Sequence, residues 1–257
     1  MQAALTAQFR VIGALILRET RATFGTSQIG YLWAIITPAA STAVLVAIFS
    51  VAGRHPPFGP SLALFFALGT FTLEFFTKLG NSLMVVFEAN KALLSYPPIK
   101  EPDVLFARAT LIAATYALIM GIFFSCLTIL DLAEPPAFPA AVMEAFAATG
   151  LLGLGYGATN AILITVFDSW RHIEKVLSRP LMFISGVFYV PSYMPPQVVA
   201  WIEWNPVLHC IEWMRSGYYS NYDSYVLHRG YLLTVAVCLI FFGLAGERLT
   251  RSRRTRS

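Results

Sequence analysis

Glu74 and Lys78 stand four residues apart inside an apolar stretch, so on a helix they share a face and can pair. Ionisable groups inside a membrane span are costly unless paired or watered. The two therefore form either a structural pair or part of a wet path, with Asn81 further along the same stretch. Other reactive groups are scattered. Glu144, Glu203, Glu212 and Asp223 would serve an intramembrane enzyme, whose acids and bases need no motif. His55, His172, His209 and His228 sit in separate links. His209 adjoins Cys210, but adjacent side chains on a helix point in different directions, so no metal pair is signalled. Cys126, Cys210 and Cys238 are odd in number and far apart, and read as small packing residues. The run GLLGLGYG has no strand before it, so Gly153 and Gly157 predict a close helix–helix contact rather than a dinucleotide loop. There is no GxxxxGK(S/T), HExxH or Gly-x-Ser-x-Gly, so no nucleotide is expected in a P-loop of this chain and no metal in a known catalytic motif.

The elements that must position these groups are membrane spans. Hydrophobic residues make up 57% of the 257, and charged residues 12%, against about 25% charged in ordinary globular domains. Apolar runs long enough to cross a bilayer predict an all-α integral membrane protein with six transmembrane helices, near 30–51, 62–87, 104–130, 140–167, 176–190 and 230–246. The first has Tyr31 and Trp33 at its start and Pro38 inside it. It is expected to act as an uncleaved insertion signal, since no signal-peptide pattern precedes it.

Before it, residues 1–28 read as an amphipathic helix. Arg10, Arg18 and Arg21 fall within about 80° on a helical wheel, opposite Leu5, Phe9, Ile12, Leu15 and Ile16. Glu19 is an exception on the apolar side. Such a helix lies in the headgroup layer or packs on a partner. Basic residues near span ends set orientation. Fourteen lie in one set of loops, among them Arg10, Arg18, Arg21, Lys91, Lys100, Arg108, Arg171 and the tail arginines, while Arg54, Arg215 and Arg229 lie in the other. Both termini are therefore expected in the cytoplasm. The net charge of +4 reads as a topology anchor facing anionic lipid, not as a nucleic-acid patch.

Between the last two spans, residues 191–229 are apolar but broken by Pro191, Pro195, Pro196 and Pro206. A helix from Pro206 to Tyr219 would reach only about 20 Å, so the segment is predicted to dip in and return as an external re-entrant hairpin. Such backbone persists only when buried in protein or lining a watery cavity. The hairpin and its approach carry Phe188, Tyr189, Tyr193, Trp201, Trp204, Trp213, Tyr218 and Tyr219. These rings are either an interfacial aromatic belt or the lip of an exit, where flat apolar faces let a sugar chain slide.

Three stretches carry a resemblance: RETRATFGTSQIGYLWAIITPA, NKALLSYPPIKEPDVLFAR and NPVLHCIEWMRSGYY. Together they look like the membrane subunit of a type-2 ABC exporter, and more narrowly resemble the capsular-polysaccharide export permeases. The resemblance implies a homodimer with a shared pore, and two copies of a separate ATPase that binds ATP and Mg, leaving no cofactor in this chain. It implies that residues 29–250 form the transmembrane domain and 251–257 a basic cytoplasmic tail. Residues 88–103 would be the ATPase coupling loop, with Glu88, Asn90, Lys91, Pro97, Pro98 and Lys100. The basic interfacial helix would lie at a substrate gate formed by Arg10, Arg18, Arg21, Tyr31 and Trp33. The substrate implied is a lipid-linked acidic polysaccharide crossing the bacterial inner membrane, with a periplasmic or outer-membrane export partner. Other permease cargoes (O-antigen, teichoic acid, lipid or drug) and an intramembrane enzyme are the alternative readings.

Overall fold

The computed structural model describes residues 2–24, 28–96 and 99–254. Pro97 and Pro98 lie outside the described residues, as do the side chain of Tyr31 and the last residues of the basic tail. The described chain is helical: α1 (Gln2–Phe24), α2 (Gln28–Val51), α3 (Leu62–Met84), α4 (Val86–Ala89), α5 (Lys91–Leu94), α6 (Glu101–Ile129), α7 (Pro139–Val166), α8 (Trp170–Ser178), α9 (Leu181–Ile184), α10 (Pro196–Ile202), α11 (Pro206–Tyr218) and α12 (Arg229–Arg254). Among the described residues, four helices are long and apolar enough to cross a membrane: α3, α6, α7 and the Arg229–Thr250 part of α12. Within α2, Ile35–Val51 is a shorter apolar run.

Local chemistry sets the helix ends. The Ser61 hydroxyl accepts from the Leu64 N–H to open α3, and the Asn205 side chain accepts from the Val207 N–H to open α11. The Asp103 carboxylate reaches back to the Lys100 N–H at the start of α6. Pro139, Pro196 and Pro206 begin their helices, where a missing N–H costs nothing. α2 runs through Pro38. Around the proline, Ser41 and Thr42 donate to its carbonyl at 2.8 and 3.1 Å, and the buried Thr42 and Thr70 hydroxyls meet at 2.8 Å.

α7 is the centre of the fold, packed against α3, α11 and α12. Its glycines make this possible. A Cβ on Gly153 or Gly157 would strike Leu79 or Leu83 of α3, and a Cβ on Gly155 would meet α12 at Ala236 O and Ile240 N, both 2.9 Å. Residues 153 and 157 are close in angle on a helix, and 155 lies nearly opposite, so one short run sets two close contacts. The apolar side of α1 packs through Leu15 into the cluster containing Ala109 and Ile112 of α6. There Glu19 is ion-paired with Arg108, which accounts for a carboxylate on the apolar stripe.

The segment 176–190 is not a single short span. Helix α8 ends at Ser178, α9 adds one turn after Pro180 and ends at Ile184, and Gly186 follows with φ of 79°. Proline supplies no N–H to continue α8, and glycine tolerates the left-handed backbone.

Candidate functional site

Three places hold the residues singled out from sequence. The first is the hairpin between Pro191 and Arg229. Its longest helix, α11, has 13 residues and spans about 20 Å, short of the roughly 30 Å hydrocarbon core. Almost all of α11 is buried against α3 and α7. Its end is stitched to the α6–α7 link by Ala137 N–H to Tyr218 O (3.0 Å) and Phe138 N–H to Gly217 O (2.9 Å).

The hairpin is fastened from inside by a polar knot. Arg215 and Glu212 are both fully buried. One guanidinium nitrogen donates to Tyr189 O and the other to Val187 O, both at 3.1 Å, with Glu212 3.5 Å away. The guanidinium lies 3.9 Å over the Phe65 ring. Glu212 accepts from the Tyr222 hydroxyl at 2.7 Å and the Ser224 hydroxyl at 2.6 Å. Burial, reinforced by the Glu212 carboxylate, pushes the Tyr222 phenol up. Beside the knot, the His228 N–H donates to His209 Nδ1 at 3.4 Å, so His209 Nε2 carries the proton donated to Glu203 O at 2.8 Å. Burial pushes the His209 imidazole down and the Cys210 thiol up to about 12. Neither residue offers a charged catalyst. The i,i+3 spacing of Glu212 and Arg215 was visible in the sequence, yet there Glu212 reads as an enzyme candidate and Arg215 as a base counted for orientation. Glu212, as an enzyme candidate, has both oxygens engaged and no solvent access.

The eight rings separate into two groups. Trp201, Trp204 and Tyr193 are 83%, 71% and 69% exposed, and Phe188 and Tyr189 are half-buried. Trp213, Tyr218 and Tyr219 are buried. In the folded chain these three are core, not lip, because α11 turns them toward α3, α7 and Phe58. On the expectation that exposed rings pave a sugar-chain exit, Trp201→Ala and Trp204→Ala should each slow passage about two- to tenfold, matching about 0.5–1.5 kcal/mol of ring stacking, at unchanged protein level. Trp213→Ala is expected to lower protein level first. Glycan export normalised to immunoblotted protein separates the two groups, and equal loss of both quantities at Trp201 would reduce that ring to an anchor.

The second place is the end where α1, α4, α5, α6 and α8 meet. Arg18 donates to Asn90 at 2.8 Å. Asn90 is buried and donates in turn to Val86 O at 3.0 Å. Asn90 thus holds the loop's shape, whereas Glu88, Lys91 and Lys100 are exposed on it. Arg10 and Arg21 are exposed on α1, as is Trp33 on α2. Arg171 of α8 donates to Glu88 at 2.6 Å. α8 is held to α7 by Trp170 to Asn160 (3.0 Å) and Tyr156 to Glu174 (3.3 Å). The Arg18–Asn90 and Arg171–Glu88 contacts each join residues from the same predicted side, and the Arg229–Glu144 pair at 3.7 Å joins two from the other.

The third place is a cleft of about 690 Å³ between α2, α3 and α6, lined by Glu74, Lys78 and Asn81. Glu74 and Lys78 do not pair with each other among the described residues. Glu74 instead accepts the Ser41 hydroxyl at 2.7 Å.

An all-helical chain with four helices long and apolar enough to cross a bilayer fits the class of integral membrane proteins. Residues 10–219 match the ABC-2 type transporter family, and the chain belongs to that family as its membrane permease subunit. It is similar to the polysialic acid transport protein KpsM of Escherichia coli, 30% identical over 244 residues that cover 91% of each chain. It is also similar to the capsule polysaccharide export inner-membrane proteins CtrC of Neisseria meningitidis serogroup A and BexB of Haemophilus influenzae. Both are 25% identical, over 94% and 93% of this chain and 91% of each relative. With its four span-forming helices it is a multi-pass inner-membrane protein.

Proposed function

We propose that this chain is the membrane half of an ATP-driven exporter of an acidic, lipid-linked capsular polysaccharide. Two copies line a shared path, and two copies of a separate ATPase drive it. The observation that carries this reading is similarity to capsule-export permeases along nearly the entire length. In this reading the chain crosses six times, with α2 and the broken α8–α9 segment completing the four long spans, and both termini are cytoplasmic. The same-side charge contacts described above support that orientation. The exposed Glu88–Lys100 loop receives the ATPase, the external hairpin forms the outer mouth, and a periplasmic export partner docks beyond it.

Glu88 tests the coupling assignment. Its bridge to Arg171 is largely exposed and contributes about 0–1 kcal/mol to stability. Glu88→Arg should therefore leave insertion intact while ATP-dependent export falls about tenfold, a coupling loss of about 1.4 kcal/mol. The double change Glu88→Arg with Arg171→Glu restores the local bridge but not the docking surface, and should remain defective. Normal export by the single variant, or full rescue by the double, would remove Glu88 from the ATPase contact.

A further inference from the structure

The cleft between α2, α3 and α6 contains an unspent set of donors. Lys78 and Asn81 are exposed on its rim, as are Trp33 and Thr37. Among the described residues, Lys78, Asn81 and the cleft-lining Tyr116 have no hydrogen-bond or ion-pair partner. Arg108 is engaged by Glu19 and by Ser82 O at 3.3 Å, and Glu74, one turn from Lys78, accepts only the neutral Ser41 hydroxyl. What remains is one ammonium and two neutral donors over a buried floor that includes Ile112 and Ile119.

Depth identifies the partner. Lys78 lies six residues before the end of α3, Arg108 seven after the start of α6, and Trp33 five after the start of α2. At 1.5 Å per residue these are about 8–10 Å in from the helix ends on the Glu88 side. An ammonium within a span that no carboxylate contacts is costly without an anion or water. A phosphate diester accepts from several donors at once, and its acyl chains match the apolar floor. The volume is that of a small-ligand site, about 300–1,000 Å³.

We infer that this cleft binds the phosphate of a lipid from the leaflet on the Glu88 side, with Lys78 as its counter-charge and Asn81 and Tyr116 as neutral donors. The phosphate comes from a bulk membrane phospholipid or from the lipid anchor of the exported glycan.

The test uses the full-length chain, purified and delipidated, titrated in native mass spectrometry with phosphatidylglycerol and with diacylglycerol of the same acyl chains. The chain should retain phosphatidylglycerol over diacylglycerol. Lys78→Gln should lower the retained fraction at least about fivefold, and Lys78→Arg should keep it. Thr115→Trp leaves every charge in place but fills the cleft, and should lower it as much. Helical content and elution volume confirm that each variant is folded. Retention by Lys78→Gln at the level of the unaltered chain would overturn the site. So would undiminished retention by Thr115→Trp, which would show a charge meeting lipid at the surface rather than a cleft. Capsule export in cells then distinguishes the two sources. A matching loss at equal protein level assigns the phosphate to the cargo's anchor, and unchanged export assigns it to resident lipid. The binding arm contains no glycan, so it fails or succeeds independently of the proposed cargo.

Discussion

Arg215→Leu should unfold the hairpin between Pro191 and Arg229. The substitution removes the only cation touching Glu212 among the described residues and leaves that carboxylate fully buried with two hydroxyl donors. It also strips the Tyr189 and Val187 carbonyls of their guanidinium donors, at a point where the backbone is not helical. Breaking a buried pair by deleting one partner costs about 3–5 kcal/mol, or roughly two to four orders of magnitude in the folded-to-unfolded ratio. Arg215→Lys should recover little. A single ammonium cannot span two carbonyls and a carboxylate or lie flat over Phe65 as the planar fork does. Adding Glu212→Gln to Arg215→Leu should recover part of the loss, because the remaining acceptor is then neutral. Denaturant titration in detergent, read by protease cleavage between residues 219 and 228, checks this. A stability equal to that of the unaltered chain would show that the hairpin is fastened elsewhere.

The second large effect is expected at Gly155. A β-carbon there lies 2.8 Å from Leu239 Cβ and 2.9 Å from both Ala236 O and Ile240 N. Two of those three atoms are backbone, so no rotamer change relieves the clash, and α7 and α12 must separate. The same interface has no slack on the other side, where a β-carbon on Gly243 would lie 2.6 Å from Ala158 Cβ. Overpacking a tight contact costs about 1–3 kcal/mol and occasionally more. Gly155→Leu should sit at the upper end, because it also opens the packing around the buried Leu232 and Ala236. Gly121→Ala is the control. It lies within α6 with nothing inside 4 Å, and should be neutral or gain up to about 1 kcal/mol from helix propensity. Thermal unfolding of the two purified variants distinguishes them. Equal stabilities would mean that α7 and α12 do not pack this closely.

The all-helical, membrane-spanning character was legible because hydropathy acts over about twenty residues at a time, and four of the six expected spans, near 62–87, 104–130, 140–167 and 230–246, recur as helices long and apolar enough to cross. That no helix between 191 and 228 is long enough to cross was legible too, since prolines at 191, 195, 196 and 206 break it. What the sequence could not show is which way a side chain turns. Trp213 and Trp201 are equally aromatic in the sequence, yet one lies in the core and the other faces outward. Glu74 and Lys78 share a helix face, but a serine on α2 captures the carboxylate. Glu19 looked like a flaw in an amphipathic stripe until α6 supplied Arg108, 89 residues away. Such partners come from distant helices, and one sequence holds no register between them. Asn90, grouped from resemblance with the coupling residues, proved to be an internal tie for the same reason.

Reconstitution tests the central claim most directly. This chain and its separate ATPase, together in proteoliposomes, should move a lipid-linked acidic polysaccharide across the bilayer only when ATP is hydrolysed. Neither component alone should do so. Transport by the chain without the ATPase, or ATP turnover in the assembled pair that moves no polysaccharide, would contradict it.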